Sequence, residues 1–170
     1  MKTIIASCAA LILAALIWGN RSSQSLANNV TATLVVVEKQ KHVMTLYAHD
    51  NILRTYHMSL GRGDDSAKQR EGDNRTPEGQ YIIDAKNDHS QFYKALHISY
   101  PSKGDIGRAK TGGYSPGGAV MIHGLRHDLA WLGSLHRLRD WTRGCIAVTN
   151  AEMDEIWNVV PVGTPIEIKP

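Results

Sequence analysis

Apolar positions fall into distinct regimes along this chain. From Ile4 to Trp18 they run almost unbroken, and from residue 31 onward they come in short β-branched bursts separated by polar stretches. Thr31 to Glu38, carrying Leu34-Val35-Val36-Val37, predicts a strand. His42 to Ala48 and Ile52 to Leu60 follow, parted by the turn signal His49-Asp50-Asn51, so the start reads as a β-meander. Residues 61–79 mix Gly, Asp, Arg, Lys and Pro without apolar periodicity. That pattern predicts a long loop, of the length that in compact domains is functional or disordered. Gln80 to Ala85 and Leu96 to Tyr100 predict further strands, Gly104 to Gly118 a second glycine-rich loop, and Ala119 to Ile122 a short strand running into His123-Gly124. Leu129, Leu132, Leu135 and Leu138 recur every three positions, which predicts a short helix or helical turns between Arg126 and Trp141. Thr149-Asn150-Ala151-Glu152 has the form of a capping box, and its helix should run to about Val160 and stop before Pro161. Pro165 to Lys169 closes as a strand. There is no repeat, low-complexity tract or second domain, and the class is mainly β with one or two short helices.

The opening segment changes the compartment. One basic residue, the apolar run 4–18 and a small-x-small site at Ser25-Leu26-Ala27 describe an export signal over residues 1–27. An uncleaved membrane anchor is the alternative, although the run is short of the ~20 residues that a spanning helix needs. Either way the remaining domain, 28–170, is expected outside the cytoplasm, in the periplasm or cell envelope. Removing 1–27 takes away Lys2 and Arg21 and no acid, so the formal charge drops from +3 to +1. The sequence pI of 8.9 therefore gives no argument for a nucleic-acid partner.

That removal also leaves Cys145 as the last cysteine. A single thiol in an exported protein is a reactive group, an intermolecular bridge or a small buried hydrophobe. Gly144 before it would let a substrate approach the backbone and leave amide N–H groups facing an oxyanion. Arg143 can supply positive potential but cannot accept a proton. A base must come from histidine, and His123, His127 and His136 are the candidates. His123 is favoured because it ends an apolar strand; His127 and His136 sit in an Arg-rich stretch expected at the surface. His123 and His127 are four apart, but without an H-E-x-x-H arrangement they make a poor zinc site, so no metal or other cofactor is expected.

"MIHG" at 121–124 followed by "TRGCIAVTN" at 142–150 resembles the signature of the L,D-transpeptidase catalytic domain family (YkuD-type). "KQREGDNRTPEGQYII" at 68–83 is similar to the family's Lys…Gly-Asp…Thr-Pro-x-Gly-x-Tyr segment, and "NAEMDEIWNVVPVGTPIEI" to its closing helix and strand. The resemblance implies a YkuD-like β-sandwich acting on peptidoglycan stem peptides. A cysteine attacks the carbonyl before a terminal D-alanine, and the acyl group passes to an amine or to water. It implies Cys145 as nucleophile, His123 as base, Thr142 at the family's Ser/Thr position, and the N–H groups of Gly144 and Cys145 as oxyanion donors, with Asn150 structural. Gly124, Arg126 and Tyr114 are the expected substrate contacts. Two positions depart from the pattern: Arg143 replaces a histidine, and Ala147 stands where an arginine is common, leaving Arg126 or Arg139 to meet a substrate carboxylate. The expected activity is L,D-transpeptidation. The alternatives are hydrolysis on the same fold, trimming a stem peptide or releasing a wall-attached protein, and a wall-binding protein without activity.

Overall fold

The computed structural model describes Leu26 and residues 30–170. The expected signal or anchor, apart from Leu26, lies outside the described residues. β1 (Leu34–Glu38), β2 (Val43–Ala48) and β3 (Asn51–His57) form the expected antiparallel meander. In β1, Val35 and Val37 are fully buried while their neighbours are partly exposed, the two-residue alternation of a strand with one face on a core.

β8 (Pro165–Lys169) inserts parallel to β1 and antiparallel to the start of β4 (Gly79–Ser90). β4 is twice its expected length. Its first four residues, Gly79–Ile82, pair with β8, and Ile83–Ser90 pairs with β5 (Tyr93–Ile98), with a register shift between Ile83 and Ala85. β6 (Met121–His123) lies antiparallel to β5, and β7 (Ile146–Ala147) parallel to β6. The sheet order is β3-β2-β1-β8-β4-β5-β6-β7, and β4 carries the chain from one half to the other. Val35, Leu46 and Ile166 from one half share a single core with Leu96, Ile122 and Ile146 from the other. Met153, Ile156 and Val159 of a helix, Asn150–Val159, join that core. The fold is mainly β, as expected.

The capping box forms as read. Thr149 Oγ1 accepts from Glu152 N (3.3 Å), Glu152 Oε2 accepts from Thr149 N (3.0 Å), and the helix ends before Pro161. The 61–79 loop is tied down rather than loose: the buried Lys39 ammonium donates to the carbonyls of Asp65, Ser66 and Thr76 and to Glu78 Oε1 (2.7 Å).

One expected element differs. The second glycine-rich stretch is not all loop: α1 (Lys103–Thr111) forms behind a capping box of Ser102 and Asp105. Gly104 and Gly107 hide it from a propensity reading, and it buries only Asp105 and Ala109, too little for a periodic signal. The capped helix Asn150–Val159 is therefore α2. The leucine stripe does form helical turns, a 3-10 segment over His127–Leu138, whose three-residue period matches the spacing. Its apolar side chains nonetheless face outward, with Leu138 84 % and Trp131 76 % exposed. Gly133 (φ 48°) breaks the segment and resets its phase, and the residue turned fully inward is His136.

Candidate active site

Parallel pairing sets His123 opposite Ala147 and Ile122 opposite Ile146. Since side chains alternate faces along a strand, His123 and Cys145, the residue entering β7, fall on the same face of neighbouring strands. Cys145 is partly exposed and free. Its Sγ donates to Ala119 O at 3.6 Å, from a residue held in the left-handed region (φ 54°), and Met121 offers it a backbone hydrogen bond. Burial raises the thiol pKa; the Met121 bond and the positive charge of Lys68 work in the opposite direction.

The loop before Cys145 is shaped by a crossing of three backbones. Gly144 has φ 121°, and a Cβ there would stand 2.5 Å from Arg75 O. A Cβ on Gly61 would overlap the Asn74 carbonyl and lie 3.0 Å from Gly144 Cα. Only glycine fits either position, so the 61–79 loop lies directly against the cysteine turn. Thr142, 4 % exposed, stitches that turn: its Oγ1 donates to Cys145 O (2.7 Å) and accepts from Gly144 N (3.1 Å). The Gly144 N–H is thereby committed inside the loop, a correction to its expected place beside Cys145 N–H as an oxyanion donor.

His123 is buried, and its Nδ1 lies 2.7 Å from Gly124 O. A carbonyl only accepts, so Nδ1 carries the proton and Nε2 is left as the basic nitrogen. Phe92 packs on the ring at 4.5 Å between centroids, and Trp141 meets it edge-on at 5.8 Å. Burial pushes the imidazole below its ordinary pKa, against the Gly124 bond. Burial thus favours the uncharged form of both the Cys145 thiol and the His123 imidazole.

Gly124 is not an exposed substrate contact, contrary to expectation. It is buried, gives its N–H to Lys94 O (3.2 Å), and orients His123 through its carbonyl. A side chain there would strike Asn150 Oδ1 at 2.5 Å, the same oxygen that accepts from Leu125 N (2.6 Å). Asn150 therefore fixes the turn after His123, a structural place as expected. Arg126 is exposed, pairs with Asp128 (3.1 Å), and lines an open pocket with Gln91, His127 and Asp128. Tyr114 lies beyond α1, its ring against Gly112. Arg143 and Arg139 are exposed.

His136 is the misplaced histidine: expected at the surface, it is buried. Its Nδ1 accepts from the Trp141 indole Nε1 (3.4 Å) and lies 3.2 Å from Ser59 Oγ, while its Nε2 is buried with no hydrogen-bond partner among the described residues. Burial, with Arg137 adding to it, drives its pKa down to about 4. Phe92, Trp141 and Lys68 were not singled out by sequence. Lys68 stood inside a matching motif without an assigned part, and the two aromatic residues gave no periodic signal.

The family model described as L,D-transpeptidase catalytic domain (YkuD) matches residues 32–168. YafK of Escherichia coli (strain K12), a provisional L,D-transpeptidase by name, is 29 % identical over 132 residues, covering 74 % of this chain and 46 % of that protein. The helical cell shape determining protein Pgp2 from Campylobacter jejuni superposes with a TM-score of 0.60 at 26 % identity, covering 83 % of this chain and 48 % of that one. The L,D-transpeptidase from Xylanimonas cellulosilytica is similar in fold alone, with a TM-score of 0.56 at 20 % identity over 92 % of this chain and 68 % of its own. The chain spans about half the length of YafK and Pgp2. With a family match over most of its length, the chain belongs to the L,D-transpeptidase catalytic domain family.

Proposed function

We propose that this protein is an exported, cysteine-dependent peptidoglycan L,D-transpeptidase working in the periplasm or cell envelope. The observation that carries the reading is the placement of Cys145 and His123 on one sheet face, with the Nδ1 proton of His123 tied to Gly124 O and its Nε2 left basic. The signal-like pattern over residues 1–27 supports export.

In the proposed reaction Cys145 Sγ attacks the carbonyl before the terminal D-alanine of a stem tetrapeptide, and its proton passes to His123 Nε2. The carbonyl oxygen takes the negative charge and is met by Cys145 N–H. Collapse expels D-alanine, whose amine collects the proton from His123, and leaves a thioester. An acceptor amine then attacks the thioester carbon, gives its proton to His123, and restores the thiol as the new amide forms. Neither step needs a cofactor. Water in place of the amine turns the same thioester into a hydrolysis product, including release of a wall-attached protein where its amide is the bond cleaved.

Incubation with defined muropeptides, followed by mass spectrometry, tests the reading. The expected result is an acyl adduct on the Cys145 peptide and cross-linked products, both missing in Cys145→Ala and His123→Ala. Trimmed products alone would reassign the outcome to hydrolysis, and unchanged turnover in Cys145→Ala would overturn the mechanism.

A further inference from the structure

The Lys68…Gly72-Asp73…Thr76-Pro77 segment matches the family pattern, yet nothing in the proposed reaction uses it. Lys68 is buried at 6 % exposure, and its Nζ donates to Asp73 Oδ1 (2.8 Å) and to Arg70 O (3.1 Å). Asp73 also accepts from the backbone N–H groups of Gln69 (2.8 Å), Arg70 (3.0 Å) and Arg75 (3.1 Å). These donors hold its carboxyl at about 2 despite burial. Three amides fix that carboxylate, and it in turn fixes the Lys68 ammonium beside it.

The anchoring points at the cysteine turn. The Lys68 stem passes Gly144 so closely that a Cβ there would sit 4.0 Å from its Cδ, and Cys145 is the next residue. The other charged groups around the sulfur do less. Arg143 is exposed, the Arg75 guanidinium is drawn outward to the exposed Asp64 side chain (2.5 Å), and His123 is held uncharged by burial. Exposed charge is screened by water and salt, whereas a buried ammonium acts through a low-dielectric path.

We propose that Lys68, held in place by Asp73, is the positioning cation of the site, stabilising negative charge on Cys145 Sγ as the thiol is deprotonated. The field of Lys68 opposes the burial that raises the thiol, and it takes the part that sequence position alone suggested for Arg143. The proposal rests on Cys145 as the reacting group, but its test uses no muropeptide, so it stands or falls separately from the peptidoglycan reading.

The test is the pH dependence of iodoacetamide alkylation of the full chain, read by mass spectrometry on the Cys145 peptide. Lys68→Met should raise the midpoint by about half a unit or more, the size expected of a nearby buried charge. Lys68→Arg should stay near the parent, and Arg143→Ala should not move it. Asp73→Asn keeps one of the two acceptor oxygens, enough for Oδ1 to go on accepting from Lys68 and Arg75 N, and removes the counter-charge, so its midpoint should fall. A purely structural pair would shift both variants the same way or neither, so that outcome overturns the proposal, as would a dominant effect of Arg143→Ala. If Lys68→Met does not fold, Asp73→Asn decides alone, and an unchanged or raised midpoint refutes the assignment.

Discussion

Replacing Thr142 with valine changes the cysteine turn while keeping its shape. The backbone of Thr142 is anchored independently, its N–H to Leu60 O (3.1 Å) and its carbonyl to Arg62 N (3.0 Å), so the substitution removes only the hydroxyl. That hydroxyl gives one hydrogen bond to Cys145 O and takes one from Gly144 N. Valine satisfies neither, and an orphaned buried backbone group costs about 1–3 kcal/mol. The turn adjoins the partly exposed cysteine, where water recovers some of the loss, so the lower part of that range applies to each and the total is about 2–3 kcal/mol. For a domain of this size that is a fall in Tm of about 5–10 °C by calorimetry. Native-state alkylation of Cys145 should also quicken as the turn loosens. Thr142→Ser keeps both bonds and should stay within about 1 kcal/mol of the parent. A valine variant losing less than about 0.5 kcal/mol, or a serine variant losing as much as valine, would refute the idea that the hydroxyl holds the turn.

Gly144→Ala must combine φ 121° with a Cβ 2.5 Å from Arg75 O, and about 3 kcal/mol or more of destabilisation is expected in urea unfolding. His136 carries a pH signature. Its folded pKa of about 4 lies below the unfolded value of 6.5, so the unfolded chain gains the proton first and stability falls as pH drops from 6.5 towards 4, by up to about 3 kcal/mol. His123, lowered by its own burial, adds to the same slope. His136→Asn should therefore flatten, without abolishing, the decline in urea midpoint between pH 7 and pH 4.5; an unaltered slope would contradict the assignment. Leu138→Ser should leave Tm within about 2 °C because the side chain is 84 % exposed, and a larger drop would mean that it is covered.

Sequence was most informative where one residue type answers one physical demand. The alternation around Val35 and Val37 marks a strand, Thr149 with Glu152 marks a helix start, and the apolar run into His123 sets that histidine at a strand end. It was least informative where tertiary contacts outweigh local preference. Lys86, Asn87 and Ser90 look like loop residues, yet β5 extends β4 through them by pairing with Leu96, Ala95 and Tyr93. Gly104 and Gly107 argue against a helix that Ser102 and Asp105 nonetheless cap. The leucines at 129, 135 and 138 announced their helical period, but period alone does not fix a face, and one left-handed glycine resets the phase. The strand-end place of His123 and the glycine-backed turn at Cys145 were legible from their neighbours. Lys68 was not, since its relation to the cysteine arises from a backbone crossing 83 residues of sequence away, between Gly61 and Gly144.

The position of β8 imposes an order on events in time. The meander β1–β3 and the half carrying His123 and Cys145 are joined within the sheet through a strand made of residues 165–169. At the usual ~5–20 residues per second of synthesis, about 7–26 s separate completion of β1 from completion of β8. Until then the β1 edge that will receive Ile166 and Ile168 is open, and an open apolar edge is a template for pairing with another chain. Closing the sheet is then a long-range event, slow compared with the local hairpins that precede it. A nascent chain stalled before residue 165 would hold Lys68, His123 and Cys145 and lack the strand that brings the two halves of the sheet together.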